Sequence, residues 1–526
     1  MVEPAPKEIE LKLAASSEAM DRLIASQLLR GHASSTIRSR NLVTTYYDTE
    51  DRRLGRRRLA LRVRQTGKKF IQTLKTASSE DSIETSRGEW EVELADATPL
   101  LTAFNDPAVL DLVGLVLPDE LQPTFQTRFR RQAVLVEWPD ANRQPALIEV
   151  AFDRGAIRAD TGELPLCEIE LELKRGESRA LFELAQSMRA LVPLRLQPVD
   201  KAVRGYALVT GAAPAWRKAG AVTLSDGASV EDALQQILGA CLRHWIDNES
   251  AAREAREPEG LHQLRVALRR LRSALSLFKS ALCEQSRAGW SDDLRWLLGP
   301  LGPARDLDVL ASETLVEVRA ARPSDPALGV LAELVADRRW KAHHAVRDTL
   351  GSERYGDLAF GLACWVACRG WRQGADIDVL LAQRQPVRDF AAAILTRRHR
   401  QVRKAGRDFA SMTPAARHQL RIRFKKLRYG TEFLASLFPG REVDRFRAVV
   451  ARMQDLLGQL NDVAVAQHVL SDLLDDTEPG ARQRAAALGA GQVIGWYAHQ
   501  SRLSEPELVD AWEEFRATER FWPAPG

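Results

Sequence analysis

Residues 8–12 read Glu-Ile-Glu-Leu-Lys, two acids and a base on alternate positions with apolar residues between them. As a strand, this stretch puts Glu8, Glu10 and Lys12 on one face and Ile9, Leu11 and Leu13 on the other. Helices laid on the apolar face would leave the charged face in water or lining a cavity, and periodicity alone does not choose. A second copy far along the chain, Glu168-Ile169-Glu170-Leu171-Glu172-Leu173-Lys174, narrows the choice. Paired across one sheet, two rows of carboxylates repel unless a cation holds them together.

At 526 residues the chain exceeds one ordinary core, and a prior of about 100–200 residues per domain suggests three or so units, or two unequal ones. The 75 Lys and Arg nearly cancel the 71 Asp and Glu, so a net charge of +4 gives no whole-molecule pull toward nucleic acid or membrane. Any binding surface must come from local segregation of charge. Cys167, Cys241, Cys283, Cys364 and Cys368 lack metal-binding spacing, and their odd number suits a reducing compartment. The first seven residues contain no apolar h-region, and no run of about 18 uncharged apolar residues follows. The expectation is a cytoplasmic protein without a membrane partner.

After a helix expected over 16–30, strand vocabulary takes over at Val43–Asp48, Leu59–Arg64, Lys69–Lys75 and Arg87–Glu93. A helical interlude near 98–121 precedes strands at Phe125–Trp138, Ala146–Asp153, Ala156–Ala159 and Leu166–Lys174. Eight or nine antiparallel strands are enough to close on themselves. Charge keeps one parity along them: Arg62 and Arg64 against Leu61 and Val63, Arg128 and Arg130 against Phe129, Glu149 and Asp153 against Ile148, Val150 and Phe152. A closed barrel with a charged lumen has a purpose only if something highly charged fills it. Acids hold divalent cations and bases hold anionic oxygens, so the filling inferred is a metal-complexed polyanion, with phosphate the natural candidate.

Six stretches in order, Glu8–Lys12, Tyr46-Tyr47-Asp48-Thr49, Leu61–Arg64, Thr73-Leu74-Lys75, Glu168–Glu172 and Lys201-Ala202-Val203-Arg204-Gly205-Tyr206, resemble the CYTH domain of triphosphate tunnel metalloenzymes over about residues 5–208. The resemblance implies an eight-stranded antiparallel tunnel with flanking helices, in which glutamates bind Mg²⁺ or Mn²⁺ and lysines and arginines grip a triphosphate. Carried over by residue, Glu8, Glu10, Glu168, Glu170 and Glu172 would be metal ligands. Phosphate contacts would be Lys12, Arg62, Arg64, Lys75, Arg128, Arg130, Lys174, Lys201 and Arg204, with Lys12, Arg62, Arg64 and Lys75 carrying catalysis. The implied reaction is hydrolysis of inorganic triphosphate to pyrophosphate and phosphate. Thiamine triphosphate, or ATP cyclised to cyclic AMP, is the alternative within the class; a non-catalytic polyphosphate-binding protein is the alternative outside it.

A small-residue linker at 209–225 separates this domain, 1–208, from a half that reads as helix throughout, giving an α+β multidomain chain with an all-α second part. There the sequence repeats. His262, Arg265, Arg269 and Arg272 are echoed by His418, Arg421, Lys425 and Arg428 at an offset of 418 − 262 = 156. The same offset carries Asp306 onto Asp462, which implies two similar helical bundles, about 226–370 and 380–515, before a tail at 516–526. On an ideal helix each basic set spans an arc of about 80°, facing away from the leucines. Repeated cations without acids at i+4 ask for an anion, and a linear one suits a line of charge. Both copies of the motif, with Leu301-Gly302-Pro303-Ala304-Arg305-Asp306, resemble the CHAD domain over about 226–515. That resemblance implies binding of inorganic polyphosphate and association with polyphosphate granules, and no catalysis. Protonation of the histidines would tighten such binding below about pH 6.5. Nucleic acid is disfavoured as a partner, since aromatics do not interleave with the basic residues.

Overall fold

A computed structural model describes residues 7–76, 84–114, 116–139 and 144–524, so the first six residues of the amino terminus lie outside the described part. The chain forms two compact units. One holds the residues up to Ala215 together with Gly356–Gly370, and the other holds Trp216–Tyr355 with the residues from Trp371 onward. The segment 356–370, which the sequence places in the first helical repeat, therefore groups with the strands, its Phe360, Ala363 and Cys364 joining their apolar core.

The first unit contains strands β1 (Lys7–Ala14), β2 (Arg38–Asp48), β3 (Ala60–Thr66), β4 (Lys69–Lys75), β5 (Thr85–Leu94), β6 (Gln122–Trp138), β7 (Ala146–Ala159), β8 (Gly162–Arg175) and β9 (Arg195–Leu196). They lie in the order β5-β4-β3-β2-β6-β7-β8-β1, and β1 pairs back onto β5, closing an eight-stranded antiparallel barrel. The two-residue β9 adds to the end of β1 beyond the β5 pairing. Closure leaves the eight main strands without a long open edge.

Between the strands run α1 (Ser17–Ala25), α2 (Gln27–His32), α3 (Arg53–Arg56), α4 (Pro107–Val113), α5 (Arg179–Arg189) and α6 (Lys201–Thr210). The helix expected over 16–30 is split at Ser26, whose extended backbone ends α1 while its Oγ accepts from Leu29 N at 3.3 Å to cap α2. The strands expected at 146–153 and 156–159 are one strand. Gly155 does not break β7; it lets β6 come close, and a Cβ there would meet Arg128 O at 2.0 Å.

Leu11, Leu13, Ile148, Val150, Phe152, Ile169 and Leu171 are all buried outside the barrel against α1 and α5. Leu61, Leu74, Val109 and Val113 form a second outer cluster. With the apolar residues of β1, β7 and β8 held outside, the charged residues that alternate with them face the lumen.

The second unit consists of α7 (Val230–Glu254), α8 (Pro258–Leu277), α9 (Glu284–Val309), α10 (Leu315–Ala321), α11 (Pro326–Gly351), α12 (Glu353–Ala367, most of which groups with the barrel), α13 (Ile377–Arg384), α14 (Val387–Ala405), α15 (Pro414–Leu434), α16 (Arg441–Asp475), α17 (Ala481–Leu503) and α18 (Glu505–Ala517). Helix starts repeat with the sequence: 414 − 258 = 156 for α15 and α8, 387 − 230 = 157 for α14 and α7, 441 − 284 = 157 for α16 and α9, 481 − 326 = 155 for α17 and α11. Equivalent helices meet their own counterparts, α8 with α15, α9 with α16 and α11 with α17, as a pseudo-twofold arrangement requires. No described helix is long and apolar enough to cross a membrane.

Candidate functional site

The pairing register assigns a face to every barrel residue, because directly opposed residues point the same way. Glu8 stands opposite Arg87, Glu10 opposite Glu172 and Lys12 opposite Glu170. Asp153 stands opposite both Glu168 and Arg131, Lys75 opposite Glu89, and Arg62 between Tyr46 and Thr73. These residues line the lumen in two linked clusters.

In the first, Arg87 donates to Glu10 at 2.6 Å, Asp200 at 2.8 Å and Glu8 at 3.2 Å. Lys12 lies 2.8 Å from Glu10 and also pairs with Asp200. Lys75 bridges Glu8 at 2.7 Å and Glu89 at 3.0 Å, and Arg62 reaches Glu89 at 3.4 Å. Burial opposes the charge on Lys12, but Asp200 and Glu10 outweigh it and raise its pKa. Lys75 goes the other way, lowered by burial and by Arg62 and Arg87. Arg64 is lowered to about 10 by burial, Arg62 and Arg131. Three cationic groups crowded in low dielectric, two of them depressed, form a site that an added anion relieves.

In the second cluster, the carboxylates of Asp153, Glu168 and Glu170 bring one oxygen each within 4.8 Å of one another, and the first two are wholly buried. Lys201 Nζ sits among them, 2.8 Å from Asp153 and 2.7 Å from Glu170, and also pairs with Glu168. Arg131 binds Asp153 in a fork at 2.8 and 2.7 Å and touches Glu170, while Arg204 pairs with Glu168. Burial favours the neutral acid, yet Lys201, Arg131 and Lys12 hold Glu170 well below the usual carboxylate range. Three carboxylate oxygens at this spacing suit a hard divalent cation.

The stretch 201–206 explains itself residue by residue. It forms α6, packed on β6, β7 and β8. Lys201 and Arg204 reach the acids, and Tyr206 donates to the buried Asp48 at 2.8 Å. A Cβ at Gly205 would strike the Phe125 ring at 2.1 Å, so glycine is what allows the helix to seat.

Of the residues expected here, Glu8, Glu10, Lys12, Arg62, Arg64, Lys75, Glu168, Glu170, Lys201 and Arg204 face these clusters. Glu172 and Lys174 pair with each other at 2.5 Å, Lys174 being exposed. Arg128 and Arg130 are corrected: both are exposed on the outer face, bonded to Gln126 and Ser39, because their parity is opposite to that of Arg131. Among the described residues Glu168 and Glu170 gather with Asp153, whereas Glu8 and Glu10 are held in the cluster around Arg87. Arg87, Glu89, Arg131, Asp153 and Asp200 went unassigned, although the alternating 87–93 stretch and the shared parity of Glu149 and Asp153 carried part of the signal. Arg131→Ala is expected to reduce kcat/KM for the tunnel's substrate at least tenfold, whereas Arg128→Ala/Arg130→Ala stays within about twofold of wild type. Steady-state kinetics of the two variants check the parity.

In the second unit the basic stripes converge. Burial lowers the pKa of Arg265 to about 10, helped by Arg269, and Lys425 falls to about 7 through burial and its neighbours Arg421 and Arg269. These four residues, two from α8 and two from α15, form one basic cluster with Asp306 and Asp462 within its field, Asp462 lying 3.9 Å from Arg421. His262 is neutral near pH 7, pushed down to about 4 by burial and Arg305, so it does not act as the protonated head of its stripe. His418 and Arg272 are exposed, and Arg428 turns to Glu432 at 2.9 Å. Glu432 stands at i+4 from Arg428, so the second stripe does carry one compensating acid, against the expectation of none, and Arg270 of the other repeat shares it at 2.7 Å.

A closed barrel with acids and bases in its lumen, joined to a twofold-repeated helical unit with a basic cluster, defines a two-part architecture in which each part gathers charge at its centre. The sequence matches the CYTH domain over residues 6–206 and the CHAD domain over residues 236–471, and the chain belongs to the family of proteins that carry both. The solved CHAD domain of the plant Ricinus communis is 30% identical, with a TM-score of 0.51 over 59% of this chain and 99% of that one. The inorganic triphosphatase of Haemophilus influenzae is 36% identical over 210 residues, 38% of this chain, and the match spans 55% of that relative's length. PptA from Streptomyces chartreusis is 17% identical, with a TM-score of 0.41 over 54% of this chain and all of that one.

Proposed function

We propose that the tunnel hydrolyses inorganic triphosphate to pyrophosphate and phosphate with Mg²⁺ or Mn²⁺, in the cytoplasm. The observation that carries this reading is the lumen itself, where the carboxylates of Asp153, Glu168 and Glu170 adjoin a wall of Arg62, Arg64, Lys75 and Arg131. Asp153, Glu168 and Glu170 would hold the cation, which when bound supplies Lewis acidity at a phosphoryl oxygen and a water of lowered pKa. Arg62, Arg64, Lys75, Lys12 and Arg131 grip the phosphate chain and stabilise the charge that spreads over its oxygens as the bond breaks. Lys201 and Arg204, which pair with these acids, would stand beside the bound cation and contact the same oxygens. The lumen aromatics favour an inorganic chain over a nucleotide: Tyr46 stacks on Phe125 at 4.4 Å and both are buried, so neither is a platform for a base. The relative in Haemophilus influenzae carries the name of this activity. The basic cluster of the second unit binds inorganic polyphosphate, and with it polyphosphate granules.

The test is phosphate release from triphosphate, pyrophosphate, long polyphosphate, ATP and thiamine triphosphate, with and without each metal. Triphosphate is expected to lead by at least tenfold and to need metal. Equal turnover of ATP or thiamine triphosphate, or full activity in chelator, would overturn the assignment.

A further inference from the structure

Asp306 faces the basic cluster, and Asp308, two residues on, lies about 200° around α9 and so faces the opposite way. Behind α9 a cavity of about 470 Å³ opens between the end of α7, the turn leading into α10, and α11. This volume falls within the range of small-ligand sites. Its wall includes a π-helical turn at Leu310–Thr314, a departure from α geometry that recurs at functional sites.

The wall is built from two kinds of surface. Ala311, Leu315 and Val316 face Ala332 and Ala336, and beside them stands Trp340. This tryptophan is 63% exposed, although its indole is a large apolar surface, and it is braced by His344, whose ring centroid is 3.7 Å away. Arg319, Arg339 and Arg347 supply the charge. The acid at the wall, Glu254, is already paired with Arg256 at 3.3 Å. Two cavity residues are held in place from behind by the wholly buried Asp308, which accepts from Arg339 at 2.6 Å and from His343 Nε2 at 2.8 Å. Asp308 Oδ2 and His343 Nδ1 are buried without a hydrogen-bond partner among the described residues. Native interiors rarely leave such atoms unmade without a reason.

We propose that this cavity binds a nucleoside phosphate, with the base on Trp340 and the phosphate on Arg319, Arg339 and Arg347. A polyphosphate chain uses arginines but has no use for an exposed indole with an apolar wall; a free base uses the indole but not three arginines. A ligand that is flat at one end and anionic at the other uses both. The site lies on the side of α9 away from the basic cluster, so the two are distinct.

The experiment is equilibrium dialysis of ADP against the full chain in chelator, with excess tripolyphosphate and long-chain polyphosphate present to engage the tunnel and the basic cluster. One ADP per chain is expected, bound at least tenfold more weakly by Trp340→Ala and by Arg347→Gln. Both residues are exposed, so the fold survives their replacement. Adenosine and pyrophosphate, each lacking one end, are expected to bind at least tenfold more weakly than ADP. Absence of ADP binding, equal binding by both variants, or pyrophosphate binding as tightly as ADP would overturn the proposal.

Discussion

Glu170→Gln is expected to lower metal-dependent triphosphate hydrolysis by two orders of magnitude or more. The substitution keeps shape and removes one charge from a cluster of three carboxylates whose oxygens lie within 4.8 Å. A hard cation loses a ligand it has few alternatives for, and Lys201, 2.7 Å from Glu170, loses one of three counter-charges. Folding should survive, because Arg131 keeps its fork to Asp153 and Lys201 keeps Asp153 and Glu168. The measurement is kcat against Mn²⁺ concentration beside the urea midpoint of each protein. A rate that returns at high Mn²⁺ places the loss in metal binding, whereas wild-type kinetics in a folded variant would remove Glu170 from the site. The corresponding loss for Glu8→Gln is expected to follow a different route, through release of Lys75 and Arg87, and to leave the metal dependence unchanged.

Arg265→Ala/Arg421→Ala is expected to weaken long-chain polyphosphate binding by at least a hundredfold. One arginine comes from each repeat, and both belong to the basic cluster in which Arg269 and Lys425 also lie. Four crowded cations repel, and a chain carrying one charge per phosphate neutralises them together, so affinity should fall steeply with salt. A DNA duplex of equal charge, whose two strands cannot both reach one cluster of four cations, is expected to bind more weakly. Equal affinity for the two would make the cluster a nonspecific basic surface. The pH response follows from Lys425. With its pKa lowered to about 7, the side chain is an ammonium below that pH and neutral above it, and an anion favours the ammonium. Polyphosphate affinity should therefore fall as pH rises through 7 and 8, and Lys425→Arg, charged throughout, should flatten the profile. The tightening expected from the histidines loses its His262 part, since burial and Arg305 push that group down to about 4. A profile in Lys425→Arg identical to wild type would exclude Lys425 as its source.

Residue identity along the chain carried the alternation of acids with apolar residues, the strand count that lets a sheet close, and the 156-residue repeat. Each is a periodic property, and periodicity survives in one dimension. From it follow the barrel, the paired bundles, and the gathering of Lys12, Arg62, Lys75, Glu168 and Glu170 around one lumen. Which parity of a strand faces that lumen is not periodic information. On β6 both parities carry arginine, and only the opposition of Arg131 to Asp153 decides that Arg131 points in while Arg128 and Arg130 meet water. The composition of each cluster was equally hidden. Asp153 and Glu168 lie on neighbouring strands, and Lys201 enters their company from a helix whose angle is set by Gly205 against Phe125 and by Tyr206 on Asp48. The basic cluster repeats the lesson, since the charge of Lys425 and the neutrality of His262 depend on burial and on arginines brought near by packing. Pattern determines which residues share a face, but field and desolvation depend on distance in three dimensions, and only the folded chain sets those distances.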